Sequence, residues 1–266
     1  MPKRIDLLAI DPQNDFCDSK GALFVPGATE DMERLAAMVK RLGSKISKVH
    51  VTMDSHHENH IAHPGLWVDK AGNHPNPFTL ISSSDVETGV WSPVNPGWRG
   101  RFLDYVRTLE KNGRYVLCIW PVHCVIGSWG HGLYPAFSEA IRGWERDNLK
   151  NVDFVTKGSN WTTEHYSAVQ ADVPDSADPS TQLNTGLIQI LQEADAILIT
   201  GEALSHCVCN TVQDIANGFD PENVKKFVLL TDTSSNVPGF ENLGEQFVKD
   251  MVAKGMQLST SVDYLA

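Results

Sequence analysis

Three residues of the sequence have the chemical types that nucleophilic amide hydrolysis requires: a thiol, a carboxylate and an amine. Cys207 follows the apolar run DAILITG, Asp11 ends the run IDLLAID, and Lys157 ends the run VDFVTK. A thiol attacks as its thiolate, and a helix N-terminus and a nearby ammonium group both lower its pKa. A carboxylate can take the thiol proton and pass it to a leaving amine. We therefore expect a catalytic trio in which the pKa of Cys207 is lowered.

The turn that precedes the thiol is suited to stabilising an oxyanion. In the segment GEALSHC the chain passes from an apolar run towards a predicted helix, so backbone N–H groups point at its start. We expect the N–H groups of Ala203 and Cys207 to be the donors.

A second set of residues has the types that bind a divalent metal. Asp54 and His56 are two positions apart, and His123 lies in the later motif WPVHC. One carboxylate and two imidazoles suit a divalent transition metal, with zinc as the first expectation and iron or manganese as alternatives. Such a site leaves coordination positions open for water or substrate. Of the neighbouring histidines, His60 is expected to support the site, whereas His57 and His63 are expected to be polar loop residues.

Each of these residues alone has an ordinary structural interpretation. An Asp at a strand end is often a turn former, a Lys there is usually a solvated charge, and a buried Cys usually packs as a small hydrophobe. Ligands of an open parallel sheet, however, bind beyond the carboxyl ends of its strands. Two carboxylates, an amine, an imidazole and a thiol follow four predicted strands, and this combination favours a reactive site.

The elements that position these residues alternate between strands and helices. Short aliphatic runs predict strands near 5–11, 48–54, 114–120, 152–157, 195–201 and 225–232, and amphipathic patterns predict helices over 28–43, 180–194 and 241–255. This alternation predicts an α/β fold, a Rossmann-like doubly wound, mostly parallel sheet with helices on both faces. We expect one domain over 1–266, with a long loop insertion at about 61–100 that is rich in Pro, Gly and Trp.

Composition limits the class of partner. The chain has 266 residues and a formal net charge of −11. That charge argues against nucleic acid, which binds clustered Lys and Arg, and no apolar run is long enough to span a membrane. The five cysteines are an odd number, and the opening segment predicts a strand and not a signal peptide, so we expect a cytoplasmic protein.

Five motifs occur in the order seen in a known family. They are Asp11-Pro-Gln-Asn-Asp-Phe16, Asp54-Ser-His56 with Asn59-His60, Trp120-Pro-Val-His123-Cys-Val125, Lys157-Gly158 with Glu164-His-Tyr166-Ser-Ala168, and Gly201-Glu-Ala203-Leu-Ser-His-Cys207-Val208. From residue 5 to about 235 the chain resembles the nicotinamidase branch of the isochorismatase-like cysteine hydrolases. That family hydrolyses nicotinamide to nicotinate and ammonia on a Rossmann-like fold.

The resemblance implies a role for each matching residue. Cys207 would be the nucleophile, forming a thioester, with Asp11 as proton carrier and Lys157 as its charged partner. Asp54, His56 and His123 would bind a metal that orients the pyridine nitrogen. The rings of Phe16 and Trp120 would flank the substrate, and Gln13 and His60 would support the metal site. The resemblance also implies a cis peptide bond between Glu202 and Ala203 and a tendency to form homo-oligomers.

Three departures from the family pattern bear on the substrate. Leu204-Ser205 stands where the family usually has Thr-Asp, the 61–100 insertion is long, and an acidic, Pro-containing loop follows near 169–185. The alternatives are therefore a related hydrolase of another small amide, such as a carbamoyl or maleamate-type compound, and a non-catalytic binding protein on the same fold. An ether hydrolase would not need Cys207. A redox pair of Cys207 and Cys209 lacks the usual C-x-x-C spacing.

Overall fold

The computed structural model describes residues 3–113 and 115–266. Its strands are Ile5–Ile10 (β1), Lys48–Asp54 (β2), Trp67–Val68 (β3), Leu80–Ile81 (β4), Ser92–Pro93 (β5), Leu117–Cys118 (β6), Asp153–Lys157 (β7), Ala196–Gly201 (β8), Phe227–Leu230 (β9) and Gln257–Ser259 (β10). Its α-helices are Asn14–Cys17 (α1), Ala28–Leu42 (α2), Ser83–Thr88 (α3), Arg99–Asn112 (α4), Pro135–Asn148 (α5), Thr185–Gln192 (α6), Cys209–Gly218 (α7) and Glu241–Ala253 (α8).

Six strands form the central sheet, in the order β10-β9-β8-β1-β2-β7, and every pair is parallel. The chain moves outwards from β1 through β2 to β7, then returns to the other side of β1 and continues through β8, β9 and β10. The winding direction therefore reverses between β1 and β8. This is the doubly wound α/β arrangement that the sequence predicts, and in such sheets the reversal point is where ligands bind.

The sheet and its helices bury nearly continuous apolar runs. Every residue of β1 and β8 is buried, as expected for strands that have neighbours on both sides and helices over the sheet. The buried residues of α2 recur at helical spacing, among them Met32, Leu35, Ala36 and Val39, and this face packs against α5 and the sheet. The core thereby holds the carboxyl ends of the central strands rigidly.

The predicted strand at 114–120 is wrong in length and in place. Arg114 lies outside the described residues, and only Leu117–Cys118 is a strand, paired antiparallel with β4 away from the central sheet. The sixth strand of the central sheet is instead β10, whose residues are half exposed and lack the strong apolar run that marks a buried strand.

The segment 61–100 is more ordered than the sequence predicts. It contains two-residue strands, helix α3 and short 3₁₀ turns, and β3 pairs with β5. Helix α3 has a capping box in which the side chains of Ser82 and Asp85 each bond the other's backbone N–H. Within the described residues, no helix has the length and apolar character needed to cross a bilayer.

Candidate active site

Four reactive side chains meet at the carboxyl edge of the central sheet. Asp11 directly follows β1, Asp54 ends β2, Lys157 ends β7, and Cys207 lies six residues after β8. The register pairs Asp54 with Lys157 on adjacent strands, and Ile10 with Gly201. The crevice between β1 and β8 therefore receives groups from all four strands, as the sequence predicts.

Lys157 lies at the centre of this group. Its Nζ atom is 3.0 Å from Asp11 Oδ2, 3.1 Å from Asp54 Oδ1 and 3.6 Å from Cys207 Sγ. The Lys157 side chain is about 1% exposed and those of the two carboxylates are also buried. Burial alone would lower the pKa of Lys157, but the Asp11 and Asp54 carboxylates raise it well above its usual value. Lys157 is therefore a permanent ammonium.

Asp11 is held in one orientation by its own backbone and by β2. Its φ is 46°, in the left-handed region where Asp is one of the few non-glycine residues found. The hydroxyl of Thr52 donates to Asp11 Oδ1 at 2.5 Å and accepts from the Asp11 N–H at 3.0 Å. Oδ2 is thereby left facing Lys157, and Asp11 also contacts Cys207 through its side chain.

The predicted lowering of the Cys207 pKa is wrong. Lys157 does lower it, but burial has the larger effect and raises the pKa of the thiol well above its usual value. Burial likewise raises the pKa of Asp11, although Lys157 opposes this. The Cys207 thiol is therefore protonated at rest and lies beside a carboxylate of increased basicity, so Asp11 is able to accept its proton.

Cys207 is presented by a tight turn after β8. Gly201 has a φ of 114°, and a Cβ atom there would lie 1.9 Å from the Ile10 carbonyl oxygen, so no other residue fits. The peptide bond between Glu202 and Ala203 is cis, which confirms the expectation from the resemblance. One turn of π-helix, Leu204–Val208, then leads into α7. Among the described residues, no hydrogen bond satisfies the Ala203 N–H, which leaves it available beside the thiol.

Three donor residues that could hold a metal ion come together, and we call them the metal-binding set: Asp54, His56 and His123. Asp54 Oδ2 is 3.1 Å from His56 Nε2 and 3.4 Å from His123 Nε2, and the three donor atoms lie within 4.8 Å of one another. The other ring nitrogens are occupied, since His56 Nδ1 is 3.0 Å from the Gly158 carbonyl and His123 Nδ1 is 2.8 Å from that of Pro121. Each Nδ1 therefore carries a proton and each Nε2 has its lone pair free.

This arrangement fits a cation. The Asp54 carboxylate and the His56 Nε2 lone pair are two acceptors at close range, and they repel unless a proton or a metal ion lies between them. Burial alone would lower the pKa of His56, but Asp54 raises it, so the pair attracts positive charge. Two neutral imidazoles and one carboxylate, each fixed by a second hydrogen bond, are the donor set that zinc, iron and manganese accept.

Gln13 and His60 hold the backbone around this set. Gln13 accepts from the Asp54 N–H at 2.7 Å and donates to the Asp54 carbonyl at 2.8 Å, which fixes the end of β2. His60 packs 4.2 Å from the His56 ring, with Nε2 against the Thr163 carbonyl and Nδ1 accepting from the Ala62 N–H. Both nitrogens of His60 are thus occupied, and the residue supports the neighbouring rings.

A narrow cavity opens beside the thiol. The space between its walls, counted together with its open mouth, is about 390 Å³. Phe16 and Trp120 are both buried in its wall, and the Trp120 indole N–H donates to the Tyr166 hydroxyl at 2.8 Å. The cavity is lined by Phe16, Leu23, Asp54, Trp120, His123, Glu164, Tyr166, Ala203, His206, Cys207 and Val237. The thiol of Cys207 and two of the three metal-donor residues, Asp54 and His123, therefore line one and the same aromatic-walled cavity.

The sequence did not point to His206 or His63. His206 lines the cavity, packs 5.3 Å from the Trp120 ring, and has its Nδ1 2.9 Å from the Ser205 hydroxyl. Burial lowers the pKa of His206 to about 4, so it is a neutral wall residue. Its position directly before the nucleophile was the available signal. His63 is fully buried, which contradicts its interpretation as a polar loop residue.

Comparison with known proteins finds relatives in sequence and in fold. No sequence model of a known protein family matches the chain. The nicotinamidase of Saccharomyces cerevisiae is 25% identical over 202 residues, which is 76% of each chain. The structure of the yeast nicotinamidase bound to the inhibitor nicotinaldehyde superposes with a TM-score of 0.65 at 19% identity, over 96% of this chain and 99% of that one. The pyrazinamidase of Pyrococcus horikoshii in complex with zinc gives 0.57 at 19% identity, over 97% and 99%. The chain therefore has the α/β fold of the nicotinamidases over nearly its whole length, and it resembles a nicotinamidase in sequence over about three quarters of that length.

Proposed function

We propose that the protein is a metal-dependent nicotinamidase that converts nicotinamide to nicotinate and ammonia. The observation that carries this proposal is the position of Lys157, whose Nζ atom lies within 3.6 Å of side-chain atoms of Asp11, Asp54 and Cys207. Asp54 and Cys207 in turn line an aromatic-walled cavity. One ammonium thereby connects the nucleophile and its base to the metal-binding set. The resemblance to a yeast nicotinamidase in sequence and fold supports the same substrate.

In the proposed reaction Asp11 removes the Cys207 proton as the thiolate attacks the carboxamide carbon. The negative oxygen of the tetrahedral intermediate accepts from the Ala203 and Cys207 N–H groups. Asp11 then passes the proton to the departing nitrogen, so ammonia leaves and a Cys207 thioester remains. A water molecule deprotonated by Asp11 hydrolyses the thioester, which releases the carboxylic acid and restores the thiol. Lys157 keeps its positive charge throughout and balances the charge on Asp11.

The metal would be held by Asp54, His56 and His123, with zinc as the first expectation and iron or manganese as alternatives. When bound, the ion supplies positive charge and open positions that orient the pyridine nitrogen, directly or through a water molecule. The chain's own part is to fix the three donors through Gly158, Pro121 and Gln13. Phe16 and Trp120 clamp the ring and exclude water from the thiol.

We place this reaction in the cytosol, as a step of pyridine-nucleotide salvage. None of the five cysteines, all of which lie within the described residues, forms a disulfide bond, and reduced cysteines are typical of a reducing compartment. We also propose that the whole chain works as one catalytic domain, because the 61–100 segment contributes Phe78, whose ring packs 5.8 Å from that of Trp120 at the cavity wall.

The test is ammonia release from nicotinamide by metal-loaded protein, with Cys207→Ala as the inactive control and Cys118→Ala as a matched buried-cysteine control. We expect release by the wild type and by Cys118→Ala, and none by Cys207→Ala. Release by Cys207→Ala would rule out the thioester route. If folded, metal-loaded wild type releases nothing from nicotinamide but hydrolyses a carbamoyl or maleamate-type amide, the chemistry stands and the substrate is different.

A further inference from the structure

A histidine outside the metal-binding set holds the chain where it leaves β7. His165 Nδ1 accepts a hydrogen bond from the Gly158 N–H at 3.2 Å. The same peptide unit is held on its other side, because the Lys157 carbonyl accepts from the Ser55 N–H at 2.8 Å. The peptide between Lys157 and Gly158 is therefore fixed at both of its polar groups, by the residue after β2 and by His165.

This peptide lies between two groups that the proposed reaction uses. On one side is Lys157, whose ammonium is 3.0 Å from Asp11 and 3.1 Å from Asp54. On the other side is the Gly158 carbonyl, which is 3.0 Å from His56 Nδ1 and sets the tautomer of that ring. A rotation of the peptide would therefore move the contacts of Lys157 and of His56 together.

Gly158 cannot hold this orientation by its own backbone preference. Its φ is 82°, and glycine populates positive and negative φ about equally readily. A side chain that would restrict the backbone is excluded, since an added Cβ atom would lie 2.7 Å from Asp54 Oδ1. Hydrogen bonds have to select the orientation, and the partner of the Gly158 N–H is His165.

The segment around His165 is itself firmly held. The His165 N–H donates to Glu164 Oε1 at 2.9 Å, and the Glu164 N–H donates to the Tyr105 hydroxyl at 3.1 Å. On the other side, the Tyr166 N–H donates to an Asp172 carboxylate oxygen at 3.2 Å. His165 therefore presents its ring to Gly158 from a fixed backbone.

The imidazole of His165 is restricted to one tautomer. Burial, and to a smaller extent the Lys157 ammonium, lower the pKa of His165 to about 3, so the ring is neutral. Because Nδ1 accepts from Gly158, the proton lies on Nε2. Among the described residues, this Nε2 has no hydrogen-bond partner. A buried donor without a partner is costly, so stability alone does not explain a histidine at this position.

We propose that His165 is a positioning residue that fixes the Lys157–Gly158 peptide and thereby aligns the Lys157 ammonium and the His56 imidazole together. Both of these groups lie 3.1 Å from the Asp54 carboxylate, one at each oxygen, so a shift of the peptide reaches the proton-transfer group and the metal donors at once. The proposal rests on the catalytic and metal-binding parts of the proposed function but not on the identity of the amide.

The experiment compares two replacements of His165 that differ in one hydrogen bond. Asn places a carbonyl oxygen close to the position of Nδ1, so His165→Asn keeps an acceptor for the Gly158 N–H, whereas His165→Leu has none. The Leu variant exchanges one unpartnered buried N–H, that of Nε2, for another, that of Gly158. We therefore expect its metal-free unfolding free energy in urea to stay close to that of the wild type. His50→Leu is the matched control, since His50 is equally buried but pairs with Asp153.

Chelator competition with zinc and manganese measures the effect on the metal-binding set. Loss of a contact that orients a metal ligand costs about 10–100-fold in affinity. We expect that loss in His165→Leu, and nearly wild-type affinity in His165→Asn and His50→Leu. Wild-type affinity in His165→Leu, or equal losses in the Leu and Asn variants, would overturn the proposal.

A second readout observes the hydrogen bond directly in metal-free protein. Nitrogen NMR of the wild type should show His165 protonated on Nε2 and not on Nδ1, and the Gly158 amide should exchange with solvent more slowly than in His165→Leu. Protonation on Nδ1 would contradict the assignment, even if the Leu variant failed to fold. No readout uses nicotinamide, so a protein that binds metal and keeps these signals but leaves nicotinamide intact would disprove the substrate and not the role of His165.

Discussion

At the scale of single residues, Lys157 determines how the other charges of the site behave. An ammonium in a dry interior is costly unless it is paired, and Lys157 is paired twice, with Asp11 and with Asp54. In the proposed mechanism each pairing has a chemical use, since Asp11 would exchange protons with the thiol and Asp54 would bind the metal. The two carboxylates would repel each other without the cation between them.

Replacing Lys157 with Met removes the charge and keeps most of the length. We expect the metal-free protein to lose about 3–5 kcal/mol of unfolding free energy, because two buried carboxylates lose their partner. We expect kcat/KM to fall by roughly 10²–10⁴, because Asp11 loses the positive charge that lowers its pKa and so transfers protons less efficiently. Urea unfolding and steady-state kinetics measure both effects, with the exposed Lys249→Met as the control. A kcat/KM within threefold of the wild type would contradict the role given to Lys157.

The sequence predicted the reactive residues better than their electrostatics. Asp11, Asp54 and Lys157 end apolar runs, and parallel strands bring such ends to one edge, so their meeting follows from the pattern. The pKa of Cys207 does not, because it depends on how far burial outweighs one ammonium. The burial of His63 was equally invisible, since a sequence does not show which loop residues turn inwards.

At the scale of elements, the connection after β7 is as constrained as the strand itself. Gly158 has a φ of 82°, and an added Cβ atom would lie 2.7 Å from Asp54 Oδ1 and 2.8 Å from His56 Cε1. A side chain at position 158 would therefore occupy the space that Asp54 and His56 already fill. The Gly158 carbonyl also accepts the His56 Nδ1 proton.

Gly158→Ala is expected to weaken metal binding, whereas Gly72→Ala is not. Gly72 has a similar φ of 86° but open space around it, so alanine there costs only the left-handed backbone, about 1–2 kcal/mol. Gly158→Ala carries the same cost and also displaces Asp54 and His56, for an expected 10–100-fold loss of metal affinity. Chelator competition on both variants measures the difference. Equal affinities would mean that the two side chains move aside freely.

The turn before Cys207 contains a buried carboxyl group, that of Glu202, which connects the turn to neighbouring segments. Glu202 accepts from the Ser235 N–H at 3.1 Å, and it faces Asp31 of α2. Burial, and then the Asp31 charge, raise the pKa of Glu202 well above its usual value. Because the pKa of Glu202 is higher in the folded protein than in the unfolded chain, its contribution to stability is fully present below the unfolded-state pKa. That contribution is lost as the pH rises through the folded-state pKa.

Glu202→Gln is therefore expected to reduce the loss of stability with rising pH. The amide keeps an acceptor for Ser235 and a donor for Asp31 but cannot ionise. Above the usual carboxyl range the wild type should lose about 1.4 kcal/mol for each unit of pKa shift, and the variant should lose less. Urea unfolding at a series of pH values tests this, with the exposed Glu245→Gln as reference. Parallel curves for the wild type and Glu202→Gln would disprove it.

The sequence pattern predicted the fully buried strands at the centre of the sheet but not the strand β10 at its edge. β1 and β8 are apolar throughout and buried on both faces, so pattern alone locates them. The run YVLCIW is equally apolar, but it packs beside β4, because burial can be achieved outside the central sheet. β10 lies at the edge, where half of its side chains need not be apolar, and so it lacks a recognisable pattern.

At the scale of the whole molecule, we expect metal binding and folding to be coupled. The donors come from β2 and from the loops after β2 and β6, so only the folded chain brings them together. We expect an excess of free ion, about 100 times the Kd, to add about 2.7 kcal/mol of stability. For a chain of this size that raises the Tm by roughly 5–10 °C.

Thermal unfolding of metal-free and metal-loaded protein measures this gain. Asp54→Asn should lose most of it, and the exposed Asp104→Asn should retain it. A Tm that does not respond to zinc or manganese in the wild type would contradict a metal site formed by folding.

The central place of β1 has a consequence for how the chain is made. Its partner β8 lies about 190 residues later, since Ile5 pairs with Ala196. At the usual 5–20 residues per second of protein synthesis, β8 emerges roughly 10–40 s after β1. For that time the strand IDLLAI has one unsatisfied, strongly apolar edge. The same late pairing that brings Asp11 and Cys207 into one crevice thus leaves the nascent chain exposed to aggregation until β8 has been translated.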